Sequence, residues 1–255
     1  ARETTYGSLG KLPKLREWIG DRHVKNLAEH GYTVVNRTFE NTVSVPRTSI
    51  EDDQFSVFGP IIEELGKANG EFPDEMIFSL PAAGFTTPCY DGQYFFDTDH
   101  PVGIGTPQSV SNVQAGSGVP WFLLDTSRAI KPMLWQERVP FKLVSLDRDN
   151  DENVFFRDEY VYGTRGRANA GFGLWQLAFA SKADLDGPNY AAARAAMMSL
   201  KGDEGRPLAI RPTVLVVPPA LEEAGLKLLN SNTGLGGVTN PWRDTAKLIV
   251  TPWLA

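Results

Sequence analysis

At 255 residues, the chain is long enough for one large domain or two modest ones, and its formal net charge of −6 lacks the basic excess of a nucleic-acid-binding module. A single cysteine, Cys89, excludes an intrachain disulfide and fits a reducing compartment. With 24 glycines and 18 prolines the chain must turn often, and no apolar run approaches membrane-spanning length.

Residues 1–11 are polar and aperiodic, which predicts an extended arm. Residues 13–30 place Leu15, Trp18, Ile19, Leu27 and Ala28 at helical spacing, with Pro13 near the start and Gly31 beyond the end; Gly20 weakens the pattern. Residues 32–36 and 39–45 are rich in β-branched and aromatic side chains and predict a strand pair. In the second strand Phe39, Asn41, Val43 and Val45 fall on one face and Glu40, Thr42 and Ser44 on the other. Little nearby could cover both faces of such a hairpin, so it reads as a protruding flap that packs outside its own domain.

Residues 49–84 repeat Phe55, Phe58, Ile62, Leu65, Phe72, Met76 and Leu80 with helical period. Ser49 with Asp52 resembles an N-terminal cap, and Gly84 suits the end. A continuous helix here would be roughly 50 Å long at about 1.5 Å per residue. Pro60 predicts a kink or break, and Pro73 a restart at a first helical position. The stretch is either an amphipathic core helix or a bent rod in two or three pieces.

Residues 97–118 are dominated by Gly, Pro, Ser, Thr, Asn and Asp and predict a long loop. Residues 119–181 are β-rich: 121–124, 133–135 and 141–144 are candidate strands, 147–152 an acidic turn, and 154–180 long strands broken by Gly163, Gly166, Gly171 and Gly173. The tail alternates. Residues 189–200 and 220–229 predict helices, and 213–217 and 246–251 predict strands, the first apolar enough to be buried on both faces.

The chemistry-bearing stretch is Cys89–His100, which holds a thiol, an imidazole and the carboxylates of Asp91, Asp97 and Asp99. It lacks H-x-x-x-H or C-x-x-C spacing, and Asp-Thr-Asp-His-Pro equally suits a tight turn. Gly103-Ile-Gly105 and Gly234-Leu-Gly236-Gly237 do not sit between a strand and a helix as a dinucleotide fingerprint requires, and no Walker lysine or G-x-S-x-G serine occurs. One reading is therefore a soluble metal-dependent hydrolase using Asp91, Asp97, Asp99 and His100.

A second reading comes from longer motifs. LREWIGDR (15–22), HGYTVVNRTFENTVSV (30–45), SIEDDQFSVFGP (49–60), CYDGQYFFDTDHP (89–101), LLDTSRAIKPMLWQERVP (123–140), GFGLWQLAFASKADL (171–185) and residues 189–222 stand in order along the chain. Together with the C-terminal NPWRDTAKLIVTPWLA, they resemble the Mu-like phage major head subunit, the gpT family.

That resemblance implies an α+β major capsid protein of the Hong Kong 97-like fold, not an enzyme, with no catalytic residue, cofactor or metal. It implies an N-terminal arm at 1–9, an extended loop (E-loop) at 10–48, and a P-domain at 49–181. The P-domain would hold a spine helix at 49–84, the loop at 97–118 and long strands at 119–181, and a small α/β A-domain would follow at 182–255. Many relatives of the fold place the long strands after the A-domain, whereas here they precede it. The implied partner is the chain itself, in hexamers and pentamers of an icosahedral shell. Scaffold, protease, portal and decoration proteins, and non-specifically contacted double-stranded DNA, would complete the set, without a membrane. The expected location is the virion capsid, assembled in the host cytoplasm. Trp18, Tyr32, Phe39, Val43, Pro60 and Pro73 are the expected assembly residues. Some capsids of this fold join subunits through a Lys–Asn isopeptide bond; residues 32–45 carry no lysine, so no such crosslink is expected through them. A minor head or decoration protein is a third, weaker reading.

Overall fold

The computed structural model describes residues 3–7, 31–52, 58–234 and 237–254, with two compact units. The helix expected at 13–30, including Trp18, lies outside the described residues. Strands β1 (Glu3–Gly7) and β2 (Gly31–Val35) form a two-stranded sheet.

One unit comprises Val34–Ile77 and Trp135–Ala170. Its sheet has the order β3-β9-β8, built from β3 (Arg37–Pro46), β8 (Met133–Leu146) and β9 (Glu159–Phe172). The expected pairing of 32–36 with 39–45 is corrected: β3 runs antiparallel to β9 over ten residues, from Arg37 opposite Ala168 to Pro46 opposite Glu159. A fourteen-residue partner satisfies the backbone groups of β3 better than a five-residue one could. The alternation in β3 is real, with Phe39 and Val43 half-buried and Val45 buried; Asn41, expected on that face, is exposed.

Helix α1 (Arg47–Glu51) follows β3, and α2 (Phe58–Phe78) is the long helix, roughly 30 Å at about 1.5 Å per residue. The stretch at 49–84 is thus divided into pieces, as the bent-rod reading expected, with a short α3 (Leu80–Ala83) after Ser79. Among the described residues, α2 runs on without interruption from Pro60, its third described residue. Pro73 lies inside α2 rather than restarting it. One turn before Pro73, Asn69 accepts a hydrogen bond from the Thr164 hydroxyl at 3.1 Å. Phe72 sits edge-on to Phe39, Phe141 and Trp135, at centroid distances of 4.7, 5.5 and 6.0 Å. A Cβ at Gly166 would come within 2.7 Å of the Phe141 ring, so the glycine is what lets that ring lie on the strand.

Residues 154–157, expected as strand, belong instead to a short helix α4 (Glu152–Arg157) between β8 and β9. Asp158 closes it in the left-handed conformation (φ 55°).

The other unit comprises Phe78–Leu134 and Gly171 onward. Here the expected loop at 97–118 contains β4 (His100–Val102) paired with β5 (Gln108–Val110), and β6 (Val113–Gln114). A five-stranded sheet of order β12-β11-β7-β10-β6 forms its core, with β7 (Trp121–Leu124), β10 (Ala178–Ser181), β11 (Val214–Val217) and β12 (Lys247–Val250). All residues of β7, β10 and β11 are buried, and burying each large apolar side chain contributes about 1.5–3 kcal/mol. The sheet takes strands from both sides of residue 182. Helix α5 (Gly187–Met198) starts where the Asp186 carboxylate accepts the Asn189 N–H at 2.8 Å, and buries Tyr190, Ala193 and Met197 at helical spacing. Helix α6 (Glu222–Leu229) carries its acids in the first turn and Lys227 in the last.

Candidate functional site

A tight turn positions the chemistry-bearing cluster. The Cys89 N–H donates to Gln93 O at 2.8 Å, the Gly92 N–H to Cys89 O at 3.2 Å, and Gly92 has a φ of 90° that suits glycine. This turn brings Cys89 and Asp91 against His100, the first residue of β4. The Cys89 thiol donates to one Asp91 oxygen at 3.0 Å, and the Gln93 N–H reaches the same oxygen at 3.1 Å. His100 Nδ1 lies 2.8 Å from the other oxygen. The imidazole is fully buried and stacks on Trp175, with centroids 3.9 Å apart and planes 7° apart. Next to it, Gln176 donates to the Tyr90 hydroxyl at 2.6 Å.

These contacts define what the cluster can do. Burial disfavours the Asp91 charge, but hydrogen bonds from His100 and Cys89 outweigh it and hold the carboxyl below its ordinary pKa. An ionised Asp91 only accepts, so His100 Nδ1 is the donor. Burial, reinforced by Asp91, pushes the Cys89 thiol pKa far up. The thiol faces a carboxylate rather than the imidazole, the reverse of an activated cysteine. Donor atoms of Cys89, Asp91 and His100 lie within 4.8 Å of one another, so these three could hold a metal only after the thiol and imidazole protons left.

The other expected acids do not join them. Asp97 accepts the N–H groups of Thr98 at 2.7 Å and Tyr94 at 3.3 Å, the work of a turn residue. Asp99 is exposed. A cavity of about 510 Å³ in this unit is lined by residues including Val102, Gln108, Ser199, Lys201 and Asp203, and none of Cys89, Asp91 and His100 faces it. With the thiol bonded to a carboxylate rather than to the imidazole, Asp97 engaged by backbone N–H groups and Asp99 exposed, the expected hydrolase constellation does not form.

Of the expected assembly residues, Tyr32 lies on β2, Phe39 and Val43 on β3, and Pro60 and Pro73 in α2. Phe39 packs against Phe72, immediately before Pro73. Sequence reasoning missed Phe155 and Phe156, each 74% exposed on α4. The available signal was two adjacent phenylalanines in an acidic stretch, where alternation cannot place both inside.

The family model for the Mu-like prophage major head subunit gpT matches residues 1–254. The chain belongs to this family. It is 50% identical to the Mu-like prophage FluMu major head subunit of Haemophilus influenzae, over 98% of this chain and 85% of that protein. It is 42% identical to the major capsid protein of Escherichia phage Mu, over 99% and 87%. Its structure matches a chain of the procapsid of bacteriophage JBD30 with a TM-score of 0.84 and 46% identity, covering 99% and 87%. This gpT-family chain is thus a major capsid protein of a Mu-like phage with the α+β Hong Kong 97-like fold. The metal-dependent hydrolase alternative has no support among these relatives. In a head subunit, the Cys89–Asp91–His100 cluster fastens a turn to β4.

Proposed function

We propose that copies of this chain assemble into hexamers and pentamers of an icosahedral shell that encloses double-stranded DNA. The reading is carried by the head-subunit match along nearly the whole chain, in both sequence and fold. Scaffold, protease, portal and decoration proteins are its partners, assembly takes place in the host cytoplasm, and the shell expands as DNA enters. The DNA is contacted without sequence preference. An acidic chain, net −6, suits a container whose wall must release phosphates.

Within the subunit, 1–9 is the arm and 10–48 the extended loop. Residues 49–181 supply the P-domain around α2, β8 and β9, with β3 of the extended loop added to the edge of that sheet, and 182–255 supply the A-domain, whose sheet also takes in β6, β7 and β10. Trp18, Tyr32, Phe39, Val43, Pro60 and Pro73 serve assembly, the two prolines by shaping the spine. Sedimentation and electron microscopy of the purified chain test the reading. Hexamers, tubes or closed shells are expected, and a 28.1 kDa monomer persisting at all concentrations overturns it.

A further inference from the structure

Helix α4 is built to present two aromatic rings. Asn153 donates to Leu146 O at 2.8 Å and to Glu159 O at 2.6 Å, joining the helix to the ends of both long strands. Val154 is buried and pins the inner side. On the outer side Phe155 and Phe156 meet edge-on at 5.0 Å, each 74% exposed; the next most exposed aromatic among the described residues is Tyr94, at 47%. Leu143, Val144 and Leu146, also exposed, lie on the neighbouring end of β8. Water-exposed rings on a pinned helix mark a contact surface, because ordering costs are already met before binding.

Charge indicates what covers it. Residues 147–159 carry six carboxylates (Asp147, Asp149, Asp151, Glu152, Asp158, Glu159) against two guanidiniums of their own (Arg148, Arg157) and that of Arg47, which pairs with Asp149 at 3.0 Å and leaves the tip acidic. The same sheet carries Arg165 and Arg167 farther along β9, opposite Glu40 and Thr38 of β3. From Glu159 to Arg167 is eight residues, roughly 26 Å at about 3.3 Å per residue, too far for the tip to reach within one copy.

We propose that the α4 tip is a self-docking surface. Phe155 and Phe156 of one copy pack on a second copy of this chain, with the tip carboxylates against Arg165 and Arg167 of that copy. The contact is head-to-tail, the kind that closes into rings. The proposal rests on the shell-subunit reading.

The test compares assembly of the wild-type chain with Phe155→Ala/Phe156→Ala, Glu152→Arg, and Glu152→Arg combined with Arg165→Glu, with thermal melts as the folding control. The double alanine variant is expected to melt like wild type yet need about tenfold more protein, or more, to assemble. Glu152→Arg is expected to weaken assembly, and adding Arg165→Glu to restore it. A photo-crosslinking residue at position 156 in assembled particles is expected to join two copies through β3 or β9. Wild-type-like assembly of the double alanine variant overturns the proposal, as does a crosslink to a different protein or to no protein. Failure of wild type to assemble would instead strike the shell-subunit reading.

Discussion

Asp91 is where burial and hydrogen bonding oppose each other, and the outcome sets a pH dependence with two limbs. Its folded carboxyl titrates below the ordinary value, so its stabilisation is complete above about pH 3.9 and is lost as pH falls through the folded value. Cys89 acts on the other side. Its folded thiol pKa is raised, so above about pH 8.5 only the unfolded state gives up the proton, and stability falls as pH rises. Melting temperature is expected to decline between about pH 8.5 and 10, before tyrosines in the unfolded chain ionise. Cys89→Ser keeps a hydroxyl donor for Asp91 but removes the titration, and Cys89 is the chain's one cysteine, so the variant should melt without that slope. Equal slopes in both proteins would show that the thiol is not held protonated. At this scale the sequence displayed the ingredients but not their selection. Asp91, Asp97 and Asp99 are alike on paper; the turn at 89–93 directs one to His100, while backbone N–H groups occupy another.

Elements were legible where a local rule sufficed. Asp186 before Gly-Pro marks the start of α5, and the apolar run at 213–217 becomes β11, buried on both faces. Elements whose partners are distant in sequence were not. β3 was visible as a strand, but its ladder to β9 spans more than a hundred residues, and alternation carries no address. Helix α2 was misjudged in the opposite sense, because local rules at Pro60 and Pro73 predicted interruptions. The helix runs on from Pro60 through the described residues, and at Pro73 the packing of Phe72 among three rings overrides the propensity. Replacing Pro73 with alanine restores an N–H and relieves up to about 3 kcal/mol of helix penalty. Pro73→Ala is therefore expected to raise the melting temperature. If Pro73 shapes the spine, that stiffer subunit also changes the size or yield of assembled shells. A stabilised variant giving shells of unchanged size and yield would remove Pro73 from the assembly residues.

For the whole molecule, the informative feature is how little α2 and its sheet bury by themselves. Leu65 is the one buried residue of the 21-residue α2, and the tip of the sheet leaves Phe155 and Phe156 in water. The sheet of β7, β10 and β11, in contrast, is sealed on both faces. In the proposed shell a thinly covered element of this kind would gain its remaining burial from other copies, making assembly part of its stability. It also decides how the shell is held. Residues 32–45 contain no lysine, and β3 is engaged along its length with β9, so cohesion through this segment is expected to be non-covalent. Mature particles boiled in detergent are expected to run as a single band of monomer size. A ladder of covalent multimers would refute this. A single band together with loss of assembly in Phe155→Ala/Phe156→Ala would place the cohesion in apolar burial and charge.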